Sequence, residues 1–184
     1  KRLTLRRLNG VSDAALAAVC SCSQLEVLGL IEMGQLTGAG LGRLCEMGAL
    51  RSLDLRNCGS LTGDDLGQLA SLTGLAELKV AGTMVDDQIV KVLLSFPSLK
   101  SLSIEDAEIT SAFFSEVIAS RAFAERIRSL SFARCYGVTD EALGALSGFP
   151  NLESIALREI MVTGSFLDAM SESGAKMPEL KTLI

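Results

Sequence analysis

The sequence contains no histidine and no tryptophan, and aromatic residues make up only 4% of it. Without histidine the chain cannot assemble a Ser-His-Asp or Cys-His catalytic arrangement, offers no imidazole to zinc, and lacks the commonest general base. Because 48% of the residues are hydrophobic and so few are aromatic, we expect a core of Leu, Val, Ile and Ala. We also expect a protein that is not an enzyme.

The chain also lacks an excess of basic residues and a long apolar run. Its formal net charge is −5 and its pI is about 4.8, whereas a surface for nucleic acid or anionic lipid needs a net basic patch. No apolar run approaches the roughly 20 residues that span a bilayer. We therefore predict no nucleic-acid partner and no membrane insertion.

The cysteines do not form a recognisable framework. The five of them are Cys20, Cys22, Cys45, Cys58 and Cys135. Their odd number, and the absence of an Asn-x-Ser/Thr glycosylation signal, favour a reducing intracellular compartment, and we predict the cytoplasm. A metal ion needs about four convergent ligands, and no glycine-rich phosphate motif is present. We therefore predict neither a metal nor a cofactor.

The dominant feature of the sequence is an internal repeat. Aliphatic residues recur every 24 to 28 positions and mark the repeat starts. They are Leu25, Leu50, Leu75, Leu99, Ile127, Leu152 and Leu180, after a first repeat that starts near residue 1 without its opening residue. The L-x-x-L-x-L spacing inside each repeat predicts a short strand with one buried face. This pattern indicates a single repeat domain over 1–184, with a partial repeat from 180.

A second periodic feature follows each predicted strand. Seven repeats place Ser, Thr or Asp directly after an aliphatic residue, at Ser12, Thr37, Thr62, Asp86, Thr110, Thr139 and Thr163. These residue types cap helices by accepting a backbone N–H bond. Acidic residues that follow, such as Asp13, Asp87 and Asp140, suit the positive end of a helix dipole. Each repeat is thus predicted to contain a strand, a capped helix and a return segment.

The dimensions of strands and helices determine how such repeats stack. Paired strands lie about 4.8 Å apart, whereas packed helices need about 8–10 Å between their axes. The stack must therefore curve, with a parallel sheet on the concave face and α-helices on the convex face. We predict a right-handed α/β solenoid of about seven repeats, in which no repeat is stable alone.

Two segments carry a resemblance to a known family. The segments LRSLDLRNCGSLTGDDLGQL (50–69) and IRSLSFARCYGVTDEALGAL (127–146) resemble the cysteine-containing, F-box-associated and ribonuclease-inhibitor-like subclass of leucine-rich repeats. The resemblance covers essentially the whole chain and implies a leucine-rich-repeat solenoid. Cys58, Cys135 and Cys22 match cysteine positions of that subclass. Because other repeats hold small or apolar residues there, we expect these three thiols to be buried packing groups.

The side chains that flank the strand leucines should point to the concave face, and we take them as the candidate partner-binding surface. They are Arg6, Asp54, Arg56, Glu77, Lys79, Ser103, Glu105, Asp106, Ser131, Arg134, Arg158 and Glu159. The alternative is a solvated sheet face on which neighbouring charges cancel. Tyr136, on the loop after its strand, either anchors a partner at the rim or packs over that loop.

These observations predict a non-catalytic module that binds a partner protein on its concave face. Two finer functions stay open: substrate recognition in an F-box-type ubiquitin ligase, or a scaffold in a cytoskeletal or signalling complex. The chain opens in one strand and closes in another without polar caps. We therefore expect a fragment of a longer chain, and we consider end-to-end self-association through its terminal leucine faces.

Overall fold

The computed structural model describes residues 1–8, 10–82, 85–172 and 182–183, in which short strands alternate with short helices. The strands are β1 (Arg2–Arg6), β2 (Val27–Ile31), β3 (Ser52–Arg56), β4 (Glu77–Ala81), β5 (Ser101–Glu105), β6 (Ser129–Ala133), β7 (Ser154–Arg158) and β8 (Thr182–Leu183). The helices are α1 (Asp13–Cys20), α2 (Gly38–Leu44), α3 (Gly63–Leu66), α4 (Ile89–Leu93), α5 (Ser111–Ala119), α6 (Arg121–Arg126), α7 (Asp140–Gly144) and α8 (Ser165–Glu172). The predicted repeat start at Leu180 lies outside the described residues.

All eight strands form one parallel sheet in which they follow chain order. Neighbouring strands pair repeat for repeat, so that Leu28 lies beside Leu53 and Leu78 lies beside Leu102. Each of the first seven strands is followed by a helix before the chain returns to the sheet. The predicted fold, an α/β leucine-rich-repeat solenoid of about seven repeats, is confirmed.

The alternation of buried and accessible side chains explains why these segments are strands. In β3 the buried residues Leu53 and Leu55 alternate with the half-buried residues Ser52, Asp54 and Arg56. Burying one such aliphatic side chain contributes about 1.5–3 kcal/mol. The leucine side therefore faces the helices, and the polar side remains accessible on the concave face.

The core contains more aromatic groups than the composition suggested. All seven phenylalanines are buried, and all of them lie in the second half of the chain. Phe113, Phe114 and Phe132 pack together, with the Phe113 and Phe132 rings edge to face at 5.9 Å between centroids. The expectation of a purely aliphatic core is therefore wrong there, because a few fully buried rings fill as much space as many smaller side chains.

The predicted helix caps divide into two groups. Thr62 forms a capping box, in which its hydroxyl accepts the Asp65 N–H and the Asp65 carboxylate accepts the Thr62 N–H. Thr110 and Thr139 also accept helix N–H groups. The side chains of Ser12 and Thr37, however, accept no such bond. The prediction that Asp86 caps a helix is also wrong, because α4 begins after Gln88. The Asp86 carboxylate accepts the Gln88 N–H, which lies before that helix.

The Thr37 side chain accepts no helix N–H bond, but its hydroxyl donates to a carboxylate of the preceding repeat. The carboxylate of Asp13, in the preceding repeat, accepts the Thr37 N–H at 3.0 Å and the Thr37 hydroxyl at 2.6 Å. We call this arrangement, in which an Asp at the helix start receives both donors of the next repeat's Thr, an inter-repeat clamp. Asp13 was predicted only as a partner of the helix dipole, so the clamp is an additional role.

The residue directly after each of the first seven strands has a left-handed backbone. These residues are Arg7, Glu32, Asn57, Gly82, Asp106, Arg134 and Glu159, with φ between 50° and 59° for all except Gly82. Such values are uncommon for residues other than glycine. The bend lets the Glu32 N–H donate to the Arg56 carbonyl at 2.9 Å, and the Arg134 N–H donate to the Arg158 carbonyl at 3.0 Å. A column of mostly charged residues thereby lies beside the sheet.

Candidate protein-interaction surface

The predicted surface residues share one side of the sheet. The register sets Asp54 beside Lys79, Lys79 beside Ser103, and Ser103 beside Ser131. Arg6, Arg56, Glu105 and Arg158 lie at the last positions of their strands. Asp106, Arg134 and Glu159 directly follow strands and have the left-handed backbone. The other predicted residues lie within strands, on the same face of the sheet. These residues therefore lie on one face of the sheet, and their mutual contacts are visible only in the structure.

Arg56 connects two strands that are not neighbours. Its guanidinium donates to both carboxylate oxygens of Asp54, at 2.9 and 2.8 Å, and to Glu105 at 3.1 Å. Between them lies Ala81, which is the register partner of both Arg56 and Glu105. Because alanine is short, the two long side chains meet above it. The bonds to Asp54 raise the pKa of Arg56 above its ordinary value.

Arg134 extends the same set of ion pairs toward the last repeats. It donates to Asp106 at 2.6 and 2.8 Å and lies 3.5 Å from both Glu105 and Glu159. The hydrogen bonds from Arg134 lower the pKa of Asp106. We call Asp54, Arg56, Glu105, Asp106, Arg134 and Glu159 the ion-pair network. Both guanidinium groups are paired, and the four carboxylates leave the network with a formal charge of −2.

Glu77 and Lys79 form a separate pair within β4, with 3.0 Å between Oε1 and Nζ. Glu77 also accepts the Ser52 hydroxyl at 2.6 Å. Partial burial opposes ionisation of Glu77, but the bonds from Ser52 and Lys79 outweigh it, so that the pKa of Glu77 is lowered. Arg158 differs from these groups. It is exposed and forms no ion pair with any residue that the structure describes.

The first two repeats carry an excess of positive charge. Arg6 donates to one Glu32 oxygen at 3.1 and 2.8 Å, and Arg7 donates to the other oxygen. These two arginines lower the pKa of Glu32, with the bond from Arg7 as the largest cause. Arg2 is exposed and unpaired within the described part of the chain. We call Arg2, Arg6, Arg7 and Glu32 the basic end of the concave face.

Beside the basic end lies a hollow of about 190 Å³. It forms because Gly29, at an outward position of β2, has no side chain between its register partners Thr4 and Asp54. The half-buried residues Val27 and Ile31 form part of its lining, which is mostly polar and includes the charged residues Arg2, Asp54, Glu77 and Lys79. We call it the Gly29 hollow. Asp54, Glu77 and Lys79, which also line the hollow, were among the predicted binding residues, whereas Gly29, Val27 and Ile31 were not.

Strands β5, β6 and β7 present a surface of small polar side chains. Ser101 pairs with Ser129 and Ser103 with Ser131, and all four are half-buried. We call Ser101, Ser103, Ser129, Ser131 and Ser154 the serine floor.

Two large apolar side chains are exposed on loops next to the serine floor. The side chain of Tyr136 is 66% exposed, so the alternative in which it packs over its loop is not observed. Met161 follows β7 just as Tyr136 follows β6, and it is 76% exposed.

The cysteines behave as predicted at two positions and differently at a third. Cys58 and Cys135 are buried, and burial raises the pKa of both thiols. Cys58 donates from Sγ to the Leu30 carbonyl of the preceding repeat at 3.0 Å. Cys22 is exposed, so its predicted burial is wrong. It lies at the first repeat, where no other described repeat packs against the outer side of β1.

Among the residues that the structure describes, no three His, Cys, Asp or Glu side chains converge as a metal ion would need. Across the same ranges no helix is long and apolar enough to cross a membrane.

Comparisons with solved structures support the fold. The chain is similar over 100% of its length to a chain of the Rad7 and Elc1 complex in yeast, at 21% identity, with a TM-score of 0.61 and 54% of that chain covered. An internalin from Listeria monocytogenes matches 91% of the chain at 18% identity and a TM-score of 0.60, with 43% of the internalin covered. Human 5T4 matches 82% at 16% identity and a TM-score of 0.55, with 59% covered. The chain thus spans about half the length of these proteins. No family model and no curated protein matches the sequence.

Proposed function

We propose that this protein is a non-catalytic interaction module that binds a partner protein on its concave face. The observation that carries the proposal is the serine floor, where Ser103 and Ser131 leave the centre of β5 and β6 without a long side chain. Small polar side chains allow the backbone or a helix of a partner to approach the sheet closely. Arg158, which is exposed and has no ion-pair partner among the described residues, lies beside this floor and offers a charge for orientation.

The comparisons are compatible with this function. One of the similar solved chains comes from a structure of two proteins in complex, Rad7 and Elc1. In addition, stacked repeats present broad continuous surfaces, which other repeat proteins use for binding. The ion-pair network then supplies shape and hydrogen-bonding specificity to the surface, because both of its guanidinium groups are already bonded to its own carboxylates.

The test is a comparison of two matched double variants. Ser103→Arg with Ser131→Arg places two long side chains on the serine floor, whereas Ser115→Arg with Ser147→Arg places two on exposed helix positions. Each variant and the unchanged protein are used to capture partners from a cell lysate for mass spectrometry. Circular dichroism and thermal melting check that both variants fold.

We expect the floor variant to lose proteins that the unchanged protein and the helix variant both retain. Capture of the same proteins by all three baits would contradict concave-face binding. The finer functions differ in what is captured. Cullin-ligase components would favour the F-box-type ubiquitin-ligase receptor, which the resemblance to the cysteine-containing subclass supports. Cytoskeletal or signalling components would favour the scaffold. Both functions place the protein inside the cell.

A further inference from the structure

We infer that a hollow at Ala81 and Gly82 receives a lysine side chain of the partner protein, with the methylene stem of that lysine in the hollow and its ammonium group beside Asp106. The inference rests on the proposed function and names the chemistry of the partner. It is carried by a gap in the column of charged residues, by the lining of the hollow that this gap leaves, and by the acidic loops around it.

The gap lies at the fourth repeat. Each of the other first seven strands has a long charged side chain at its last position or directly after it. The strand β4 instead ends in Ala81, and Gly82 follows it with a left-handed backbone. Because neither residue carries a long side chain, the column is interrupted there, and a hollow of about 290 Å³ lies at the interruption. We call this hollow the Ala81 notch.

The lining of the Ala81 notch suits a side chain that has an apolar stem and a polar tip. The buried residues Cys58, Leu61 and Ala81 line it together with two glycines, Gly59 and Gly82. Only the remaining two lining residues, Asn57 and Asp106, have side chains with polar oxygen atoms. Water occupies about 30 Å³ per molecule in the liquid, so the notch has room for several water molecules or for the stem of one long side chain. Lysine places its methylene groups on apolar surface while its charged head stays near water.

The loops around the notch are acidic. The segments 57–66, 82–90 and 106–115, which follow β3, β4 and β5, contain six carboxylates and no Lys or Arg. These are Asp64, Asp65, Asp86, Asp87, Asp106 and Glu108. Within the described part of the chain, Asp106 alone among the six forms an ion pair, with Arg134. The ion-pair network, which reaches the notch at Asp106, adds a formal charge of −2, so a cationic side chain is attracted to this place.

The bonds that Asp106 already forms favour lysine over arginine. Arg134 donates to both carboxylate oxygens of Asp106, at 2.6 and 2.8 Å. A second guanidinium would need the same two oxygens for a pair of parallel N–H bonds. An ammonium group is a compact charge with three rotatable donors, and each carboxylate oxygen can accept more than one bond. Lysine can therefore add to Asp106 without displacing Arg134.

The test is an NMR titration of the nitrogen-15-labelled protein, followed at the amide signals of Gly59, Ala81 and Gly82. The probe is the acetylated and amidated peptide GKG. Three counterparts carry norleucine, which keeps the stem without the charge, diaminopropionate, which keeps the charge on a single methylene, or arginine. Putrescine is the fifth probe, because a free polyamine shares the chemistry of a lysine side chain.

Two variants with matched controls locate the binding. Gly59→Leu places a side chain at the notch, and no atom lies within 4 Å of a Cβ atom at that position. Gly34→Leu is its control, because Gly34 holds the same position in the second repeat and is equally free of neighbours within 4 Å. Asp106→Asn removes the carboxylate at the notch. Glu116→Gln, at an exposed position on α5, is the control for that change.

We expect GKG to bind about two- to fivefold more tightly than the norleucine peptide, because one exposed ion pair is added. It should bind about three- to tenfold more tightly than the diaminopropionate peptide, because three methylene groups lose their apolar contacts. Gly59→Leu should weaken GKG binding by about three- to tenfold for the same reason, and Asp106→Asn by about two- to fivefold. The two control variants should bind GKG as the unchanged protein does. Signals far from the notch show whether each variant is folded, and if Gly59→Leu is not, Asp106→Asn and its control decide alone.

Several outcomes would overturn the inference. They are an absence of shifts at the notch, binding of the norleucine or arginine peptide that equals or exceeds that of GKG, and equal effects of the variants and their controls. Tighter binding of putrescine than of GKG would assign the notch to a free polyamine and not to a partner protein.

The two proposals fail in different ways. If the serine-floor variant loses the lysate partner while GKG does not bind at the notch, concave-face binding stands and the lysine inference is wrong. If GKG binds as expected while the serine-floor variant retains the partner, the notch is a site for lysine and the proposed binding on the serine floor is wrong.

Discussion

The carboxylate of Asp140 accepts both the backbone N–H and the hydroxyl of Thr163, at 2.8 and 3.0 Å, and thereby joins one repeat to the next. Asp87 and Thr110 are arranged in the same way, with bonds of 2.8 and 2.5 Å. Asp13 and Thr37 form the third clamp. The stability of a repeat stack comes from contacts between neighbouring repeats. These clamps are such contacts, so we expect them to contribute directly to the free energy of unfolding.

The Asp140 clamp predicts a specific dependence of stability on pH. Hydrogen bonds from Thr163, Phe166 and Gly164 lower the pKa of Asp140 from 3.8 to about 2. A carboxyl group with a lowered pKa stabilises the fold fully above its unfolded pKa, and this stabilisation is lost as the pH falls through the folded value. We therefore expect Asp140→Asn to lower the urea midpoint at pH 7, and the difference from the unchanged protein to shrink between about pH 4 and pH 2. Glu141→Gln is the control, because Glu141 is exposed and forms no hydrogen bond to a described residue. A difference that stays constant with pH would contradict this role of Asp140.

A missing clamp can be added. The residue that occupies the clamp position before Thr139 is Ser111, an exposed residue at the start of α5. Ser111→Asp should supply a carboxylate to the Thr139 N–H and hydroxyl, and so raise the free energy of unfolding by about 0.5–1.5 kcal/mol. The same change at Gly38 should destabilise the protein, because its Cβ atom would lie 2.0 Å from Asp65 Oδ1. Urea unfolding measures the free energy of unfolding of both variants. A loss of stability in Ser111→Asp would show that the clamp geometry is not repeated there.

The bridge between Arg56 and Glu105 predicts a small, salt-sensitive coupling. The Arg56 side chain is 32% exposed and that of Glu105 is 16% exposed, so solvent screens the pair. We expect a double-mutant cycle with Arg56→Gln and Glu105→Gln to give a coupling energy of about 0.2–1 kcal/mol. The coupling should weaken in 1 M salt, where the screening length falls to about 3 Å. A coupling of zero at low salt would mean that the bridge over Ala81 does not form in solution.

Periodicity alone was enough to predict the fold, because every repeat obeys the same spacing. Leu53 and Leu55 had to face one way and Asp54 the other, whatever the neighbouring repeats contained. The contacts between repeats could not be predicted in this way. The Arg56–Glu105 bridge depends on the reach of two flexible side chains over Ala81, and the clamps depend on register between residues that lie 23 or 24 positions apart.

Position within the stack explains the remaining differences between prediction and structure. Cys22 follows the repeat pattern as well as Cys58 does, yet only Cys58 is covered, because burial in a stack requires a neighbour on each side. The hollow at Gly29 was missed for a related reason. It lies over β2, where Gly29 has no side chain, while Thr4 on β1 and Asp54 on β3 do have side chains.

Tyr136 and Met161 should contribute to binding and not to stability. Both are large apolar side chains exposed on loops after neighbouring strands. Tyr136→Ala with Met161→Ala should change the free energy of unfolding by less than about 0.5 kcal/mol, as expected for exposed positions. Exposed aromatic anchors often dominate interfaces, so we expect weaker capture of the partner retained by the unchanged protein. Leu94→Ala is the control, since Leu94 is 40% exposed at the end of α4. A marked loss of stability, or undiminished capture, would contradict the assignment of this pair to the rim of the interface.

In a preparation of this 184-residue chain, the edge strand β1 should support self-association. Among the described strands β1 pairs only with β2. Leu3 and Leu5 are only half-buried, whereas Leu28 and Leu30, at the same positions of the next repeat, are fully buried. An unpaired strand edge with accessible leucines is a site at which a second chain can add. We expect the weight-average mass in sedimentation experiments to rise with protein concentration.

Leu8 is the residue with which to test this association, because its side chain is 41% exposed just beyond β1. Leu8→Glu should reduce the concentration dependence of the mass, since it places a charge on the apolar end face. Leu94→Glu, at a similarly exposed position on α4, should leave it unchanged. A monomeric mass at every concentration would rule out association through this face. Equal effects of the two variants would instead assign the contact to general exposed hydrophobicity, because a specific end-to-end contact involves β1 and not the middle of the convex side.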